Sequence, residues 1–280
     1  MLKLILSTCF FISLSVQAAF CQNLEPLELA KRIFDKSDFP KLPNYMSGEY
    51  EGHPNGSDLP KNSVTRFQVL DQTNQQAVVA LTILDAGGQG VDNYLFFRKE
   101  SVWKLYAVRA LAMNGFNFYL KKMLERLTPR QIDSVVTSSK KNPKASLFSS
   151  KKEYAFKLGN ARLMTSTDDQ LIHYFKAHKA EFEKLKQLML NRNNYVDADK
   201  ESKRRFGENL KSASEKLFLS YSPTGDDNFI DATELVIGGM VDNWVGYVHI
   251  PDKKDVPVMS AGHIILLREI GNGWYLYKTT

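Results

Sequence analysis

The chain has 280 residues, of which 43% are hydrophobic, 24% charged and 11% aromatic. That composition supplies apolar material for one or two cores. It excludes a mainly disordered chain, a collagen-like repeat and a disulfide-knotted miniprotein. The formal net charge of +6 suits solubility and is a weak argument for an anionic partner.

Residues 1–21 read as a secretory signal. Lys3 supplies the positive start, Leu4 to Val16 is apolar apart from Ser7, Thr8, Ser13 and Ser15, and the small residues Ala18 and Ala19 follow. The run is shorter than the roughly 20 apolar residues of a spanning helix. The mature protein is therefore expected to be periplasmic or extracellular, without a transmembrane helix. Cleavage is expected after Ala18, Ala19 or Cys21; the last would leave Gln22 first, with Ala19 and Cys21 before the cut, a spacing that resembles secretory signals of Bacteroidetes-type bacteria. The alternative is a lipid anchor on Cys21, although Phe20 stands where a small residue is usual. Cys9 and Cys21 are the two cysteines, so the mature fold is expected to hold neither an intrachain disulfide nor a cysteine-ligated zinc. Loss of residues 1–21 removes one charge, Lys3, and lowers the net charge from +6 to +5.

Residues 22–137 form the first expected module. Leu24, Leu27, Ala30, Ile33 and Phe34 recur at helical spacing. A Pro-, Gly- and Asn-rich loop fills residues 40–63. Strands follow over Val64 to Leu70 and Ala77 to Leu84, the second apolar on both faces as a covered central strand would be. After the turn Asp85-Ala86-Gly87-Gly88-Gln89-Gly90, Val91 to Arg98 and Val102 to Arg109 form a hairpin. A helix is expected over Phe116 to Leu127. A second opens at Thr128-Pro129-Arg130-Gln131, a capping box with proline in the first turn. Residues 138–160 read as a basic linker, because residues 138–152 carry five lysines and no acid. One aromatic, Phe148, and no arginine make a poor nucleic-acid surface, so a solvated connector is expected and no nucleic-acid partner.

Residues 161–280 form the second module. Thr167-Asp168-Asp169-Gln170 is another capping box, and Leu171, Phe175, His178, Phe182, Leu185 and Met189 continue as one stripe on a helix of about six turns. Residues 191–206 are polar and read as an exposed loop, with a short helix near Glu208 to Lys216. Strands are expected over Phe229 to Ile237, Met240 to Ile250, His263 to Ile270 and Trp274 to Lys278, the last two joined by the turn Gly271-Asn272-Gly273. Trp103-Lys104-Leu105-Tyr106 and Trp274-Tyr275-Leu276-Tyr277 share the pattern Trp-x-Leu-Tyr, which sends Trp and Tyr to opposite faces of a strand.

The N-terminal helix, polar loop and strands ending in Lys99-Glu100-Ser101-Val102-Trp103-Lys104-Leu105 resemble secreted NTF2-like (cystatin-like) α+β domains over residues 24 to 112. The second module, with Asp168-Asp169-Gln170-Leu171-Ile172, Phe175, His178, Glu181-Phe182-Glu183-Lys184-Leu185, Gly246-Tyr247-Val248 and Gly273-Trp274-Tyr275-Leu276-Tyr277, resembles an uncharacterised family of bacterial secreted or lipoprotein domains. The second resemblance implies no activity, substrate or catalytic residue.

The chemistry-bearing residues are sparse. His173 and His178 are five apart and do not share a helix face. His249 and His263 fall on successive expected strands and would be cross-strand neighbours, without a third ligand of evident spacing. Asp226-Asp227, Asp231 and Glu234 lack the alternation of a calcium loop. Gly-x-Ser-x-Gly does not occur, and Gly87, Gly88 and Gly90 are not followed by the Lys-Ser or Lys-Thr of a phosphate loop. Neither a cofactor nor a metal is expected. An NTF2-like enzyme of isomerase or lyase type would use an acid base and phenol donors in an apolar cone. Asp92 and Tyr94 share a strand face with Phe96 and are the candidate catalytic pair, although an unpaired carboxylate beside a turn is expected to face water. Trp244, Tyr247, His249 and His263 are candidate ligand-binding residues, with sheet core as the default for the aromatics.

The sequence thus predicts an α+β protein of two modules, each with helices packed on an antiparallel sheet. The functional expectation is a secreted, non-enzymatic binding or accessory protein for an unknown small molecule, glycan or protein. The alternatives are an NTF2-like enzyme acting on a small apolar substrate and an inhibitor or immunity-type protein.

Overall fold

The computed structural model describes residues 23–111, 114–191, 198–220 and 229–280. The expected leader, with Cys9 and Cys21, lies outside the described residues, as do Asp226 and Asp227 of the acidic cluster and part of the expected loop at 191–206. The fold is α+β. Helix α1 (Pro26–Ile33) precedes strands β1 (Val64–Gln72), β2 (Gln76–Leu84), β3 (Gly90–Lys99) and β4 (Trp103–Arg109). Helices α2 (Asn114–Glu125), α3 (Pro129–Ser139), α4 (Lys151–Met164), α5 (Asp168–Ala177), α6 (Lys179–Leu190) and α7 (Lys200–Lys216) follow. Strands β5 (Thr233–Met240), β6 (Asn243–His249), β7 (Ile264–Gly271) and β8 (Trp274–Thr279) complete the chain. Among the described residues, no helix is long and apolar enough to cross a membrane.

The first sheet is an antiparallel meander in the order β1-β2-β3-β4. Its central strand β2 is buried on both faces from Ala77 to Leu81, as its unbroken apolar run predicts. Helix α1 starts with a proline in its first turn and ends with Lys31 and Arg32 in its last, a polarity that suits the helix dipole. It buries Leu29, Ala30 and Ile33 against one face of this sheet, together with Val79, Leu81, Leu95, Phe97 and Trp103.

The second sheet has the order β5-β6-β8-β7, all antiparallel. Strand β8 therefore lies between β6 and β7. The turn that joins β7 to β8 holds Gly271, Asn272 and Gly273, all with positive φ, a conformation that glycine and asparagine adopt most readily.

Three expectations are corrected. The six-turn helix is broken at His178, whose backbone leaves helical geometry (φ −115°, ψ 21°). Phe175 and Phe182, one on each side of the break, both pack against Tyr247 and Trp274, the first tilted and the second edge-on. The apolar stripe is thus real and the straight axis is not. The polar segment expected as a loop is helical from Lys200. Asp199 caps it through the backbone N–H groups of Glu201 and Ser202, and a ladder of pairs (Glu201 with Arg204 and Arg205, Arg204 with Glu208) lines its outer face. Only Phe206, Leu210 and Ser214 turn inward, which is why high polarity concealed the helix. Finally, the expected basic linker is helical from Lys151. Ser150 caps α4, Lys151 pairs with Asp133, Lys152 with Glu215, and Phe148 is buried.

The largest core cluster draws on both sheets. It holds Val78, Ala80, Tyr94 and Phe96 from the first, Leu235, Tyr247, Trp274 and Leu276 from the second, and Leu171, Phe175, Phe182 and Leu185 from α5 and α6. A separate cluster on the far face of the second sheet contains Val248, Ile250, Tyr275 and Tyr277. The two Trp-x-Leu-Tyr strands do send their aromatics to opposite faces, with Trp274 in the shared core and Tyr277 behind the sheet.

Candidate functional site

Alternation along β3 places Asp92, Tyr94 and Phe96 on the face that looks into the shared core. Alternation along β8 does the same for Trp274, Leu276 and Lys278. The capping box of α5, with Thr167 and Gln170 closing on each other, sets Asp168 at the first helical position between these strands. Gly90 permits the approach, because a Cβ there would lie 2.4 Å from Cγ2 of Thr167.

The result is a buried ionic cluster. Asp92 is 6% exposed, Asp168 3% and Lys278 5%. Nζ of Lys278 lies 2.7 Å from Oδ1 of Asp168 and 3.7 Å from Oδ2 of Asp92. The Tyr94 hydroxyl donates to the Asp168 carboxylate at 3.0 Å from either oxygen. Asp92 accepts from the Thr82 hydroxyl at 2.6 Å and from the backbone N–H of Asp168 at 2.7 Å. The expectation that Asp92 faces water is thus corrected: a buried carboxylate is tolerable here because donors and a cation surround it. Thr82 is its cross-strand neighbour on β2.

Burial and the neighbouring Asp92 push the Asp168 carboxyl up to about 6, against the pull of Lys278 and the Tyr94 hydroxyl. Burial and the two carboxylates raise the Tyr94 phenol well above its ordinary value. Burial alone would lower Lys278, but Asp168 and Asp92 outweigh it and hold the ammonium above its ordinary value.

Asp168 also opens onto the surface. A cleft of about 240 Å³ is lined by Arg66, Phe67, Gln68, Ala80, Thr82, Asp168, Asp169 and Arg268. Arg268 from β7 meets Oδ1 of Asp169 at 2.9 Å, and Arg66 from β1 approaches Oδ2 at 3.6 Å. A second recess of about 400 Å³ on the other side of the Arg66–Asp169 pair reaches Thr167, Gln170 and His173.

The structure brings Asp92 and Tyr94 together and disperses the other candidates. Tyr247 is fully buried and donates its hydroxyl to the backbone carbonyl of Leu171 at 2.8 Å. Trp244 packs behind the sheet, on the opposite face. His249 and His263 are not cross-strand neighbours, because β8 separates β6 from β7. His249 pairs with Trp274 at the start of β8, while the carbonyl of His263 accepts from Thr280 beyond its end. The His249 ring stacks edge-on against Trp274 at 5.2 Å, and burial together with nearby Lys186 lowers its pKa against the opposing pull of Glu183. Among the described residues, no group of three or more His, Cys, Asp or Glu side chains could hold a metal ion.

Asp168, Lys278 and the arginines were missed. Asp168 looked like an ordinary acid in a helical first turn. The signal for Lys278 was its parity, since it shares the core-facing alternation of Trp274 and Leu276 and so calls for a buried acid. Comparison with protein-family models, curated proteins and solved structures yields no match.

Proposed function

We propose that this chain is an exported, non-enzymatic binding or accessory protein. One observation carries this: the two residues best suited to acid–base work are engaged inside the fold. Both oxygens of Asp92 accept internal hydrogen bonds, and the Tyr94 hydroxyl is given to Asp168. A general base must reach the proton it abstracts, and these contacts aim Asp92 at Thr82 and α5 instead. The leader motivates the extracytoplasmic location. The packing of α1 across a four-stranded meander supports reading residues 24–112 as an NTF2-like (cystatin-like) unit.

The test is to incubate the protein, purified from its native cells, with a small-molecule extract of those cells, and to identify what it retains by mass spectrometry. A stoichiometric, chemically unchanged molecule is expected. Time-dependent conversion of a retained molecule, or retention of none, would refute the proposal. N-terminal sequencing of the same preparation tests export, with a start at or beyond Ala19 expected and a start at Met1 contrary to it.

A further inference from the structure

The cleft above Asp168 has an ordered distribution of charge. Arg66 on β1 and Arg268 on β7 supply guanidinium groups from the two sheets, and the first turn of α5 supplies the carboxylates of Asp168 and Asp169. With the buried Lys278 and Asp92 behind them, three cations face three carboxylates. A ligand of net charge would unbalance that set in a partly desolvated site, whereas a ligand with one charge of each sign would not.

Size narrows the choice. A volume of about 240 Å³ is below the usual range for drug-sized ligands, roughly 300 Å³ upward, and suits a single small metabolite better than a chain segment. Gln68 and Thr82 add neutral polar residues to the lining. Arg66 can also be recruited. The Arg66–Asp169 contact is long, at 3.6 Å, with both side chains about half exposed, and such pairs contribute little to stability. A guanidinium is the side chain best shaped to take an incoming carboxylate in two parallel hydrogen bonds.

Building on the binding role above, we propose that this cleft binds a small zwitterion of the amino-acid class, its carboxylate on Arg66 and Arg268 and its ammonium on Asp168 and Asp169. The two charges of the ligand then match the two walls. Asp168, although almost sealed from solvent, is one of the residues that line the cleft.

The test uses the full chain and isothermal titration with the free amino acids one by one. Succinate (carboxylates without an ammonium) and ethanolamine (an ammonium without a carboxylate) serve as controls at matched ionic strength. At least one amino acid is expected to bind saturably, at least tenfold tighter than either control. Arg66→Gln and Arg268→Gln are each expected to weaken it tenfold or more while the melting temperature stays within a few degrees of the parent. Absence of saturable binding, equal binding of succinate or ethanolamine, or unchanged affinity in folded arginine variants would overturn the proposal. A molecule retained from the native extract with equal affinity by wild type and by the Arg66→Gln/Arg268→Gln variant would also refute this site, while leaving the broader binding role standing.

Discussion

Lys278→Met removes the cation that lies between Asp92 and Asp168 while keeping an unbranched side chain of similar length. The two carboxylates would remain buried, with Thr82, the Asp168 N–H and Tyr94 as hydrogen-bond donors but without a neutralising charge. Removing one partner of a buried ion pair destabilises by about 3–5 kcal/mol. At this chain length, about 2–4 °C of melting temperature is lost per kcal/mol, so a fall of roughly 6–20 °C is expected at pH 7.5.

The deficit should shrink in acid, because a protonated Asp168 no longer needs the ammonium. In the parent, Asp168 is raised from 3.8 to about 6. A raised carboxyl contributes stability that is fully present below its unfolded value and is lost as pH rises through the folded one. Asp168 alone therefore makes the parent more stable at pH 4 than at pH 7, by about 3 kcal/mol at most. Urea denaturation of parent and variant at pH 7.5 and pH 5 measures both effects. A loss below about 1 kcal/mol at pH 7.5, or a deficit that grows toward pH 5, would show that Lys278 does not neutralise this cluster.

Three further outcomes follow from the same packing. Tyr94→Phe withdraws the hydroxyl from Asp168 and should cost about 1–3 kcal/mol by urea denaturation, with little change in the far-ultraviolet circular dichroism. Gly90→Ala places a Cβ 2.4 Å from Cγ2 of Thr167, so it should destabilise by about 1–3 kcal/mol, and Thr167→Ser in the same chain should recover part of the loss. Phe182→Ala empties a fully buried ring site against Tyr247 and Trp274 and should cost about 3–5 kcal/mol. Loss of near-ultraviolet signal from the shared core at lower urea than in the parent would report it.

The legible parts of this fold were those in which a local pattern has one physical solution. The Thr128 and Thr167 capping boxes mark helix starts because a side-chain oxygen and a glutamine amide satisfy the orphan donors there, and both caps form as expected. The apolar run of β2 could only be a covered strand, and Gly271-Asn272-Gly273 could hardly be other than a turn. What stayed hidden depends on partners distant in sequence. Periodicity detects the stripe from Leu171 to Met189 but not the break at His178. Charge density made the first two turns of α7 resemble a loop, although pairs three and four residues apart help to hold such a helix in water. Asp92 looked exposed because its compensation comes from Thr82, the Asp168 N–H and Lys278, which no local window contains. The Arg66–Arg268 convergence needed the relative placement of two sheets.

The position of the ionic cluster says something about how the two sheets find their register. Asp92 alone on the first sheet would be a buried carboxylate without a cation, whereas Asp168 and Lys278 on the other side already pair with each other. Only when α5 and β8 settle on β3 does the cation serve both acids, with the N–H of Asp168 and the Tyr94 hydroxyl crossing the junction at 2.7 and 3.0 Å. An apolar junction of the same area would tolerate sliding by a residue, because methyl groups match many neighbours about equally well. Three charges do not, since a slide of one strand residue, about 3.3 Å, carries Lys278 out of reach of Asp92, from which it lies 3.7 Å in the native alignment. Hydrophobic burial supplies the attraction between the sheets, and the cluster selects one alignment. That alignment sets Arg268 and Arg66 opposite the first turn of α5, so the geometry of the cleft is a consequence of the same pairing that fixes the fold.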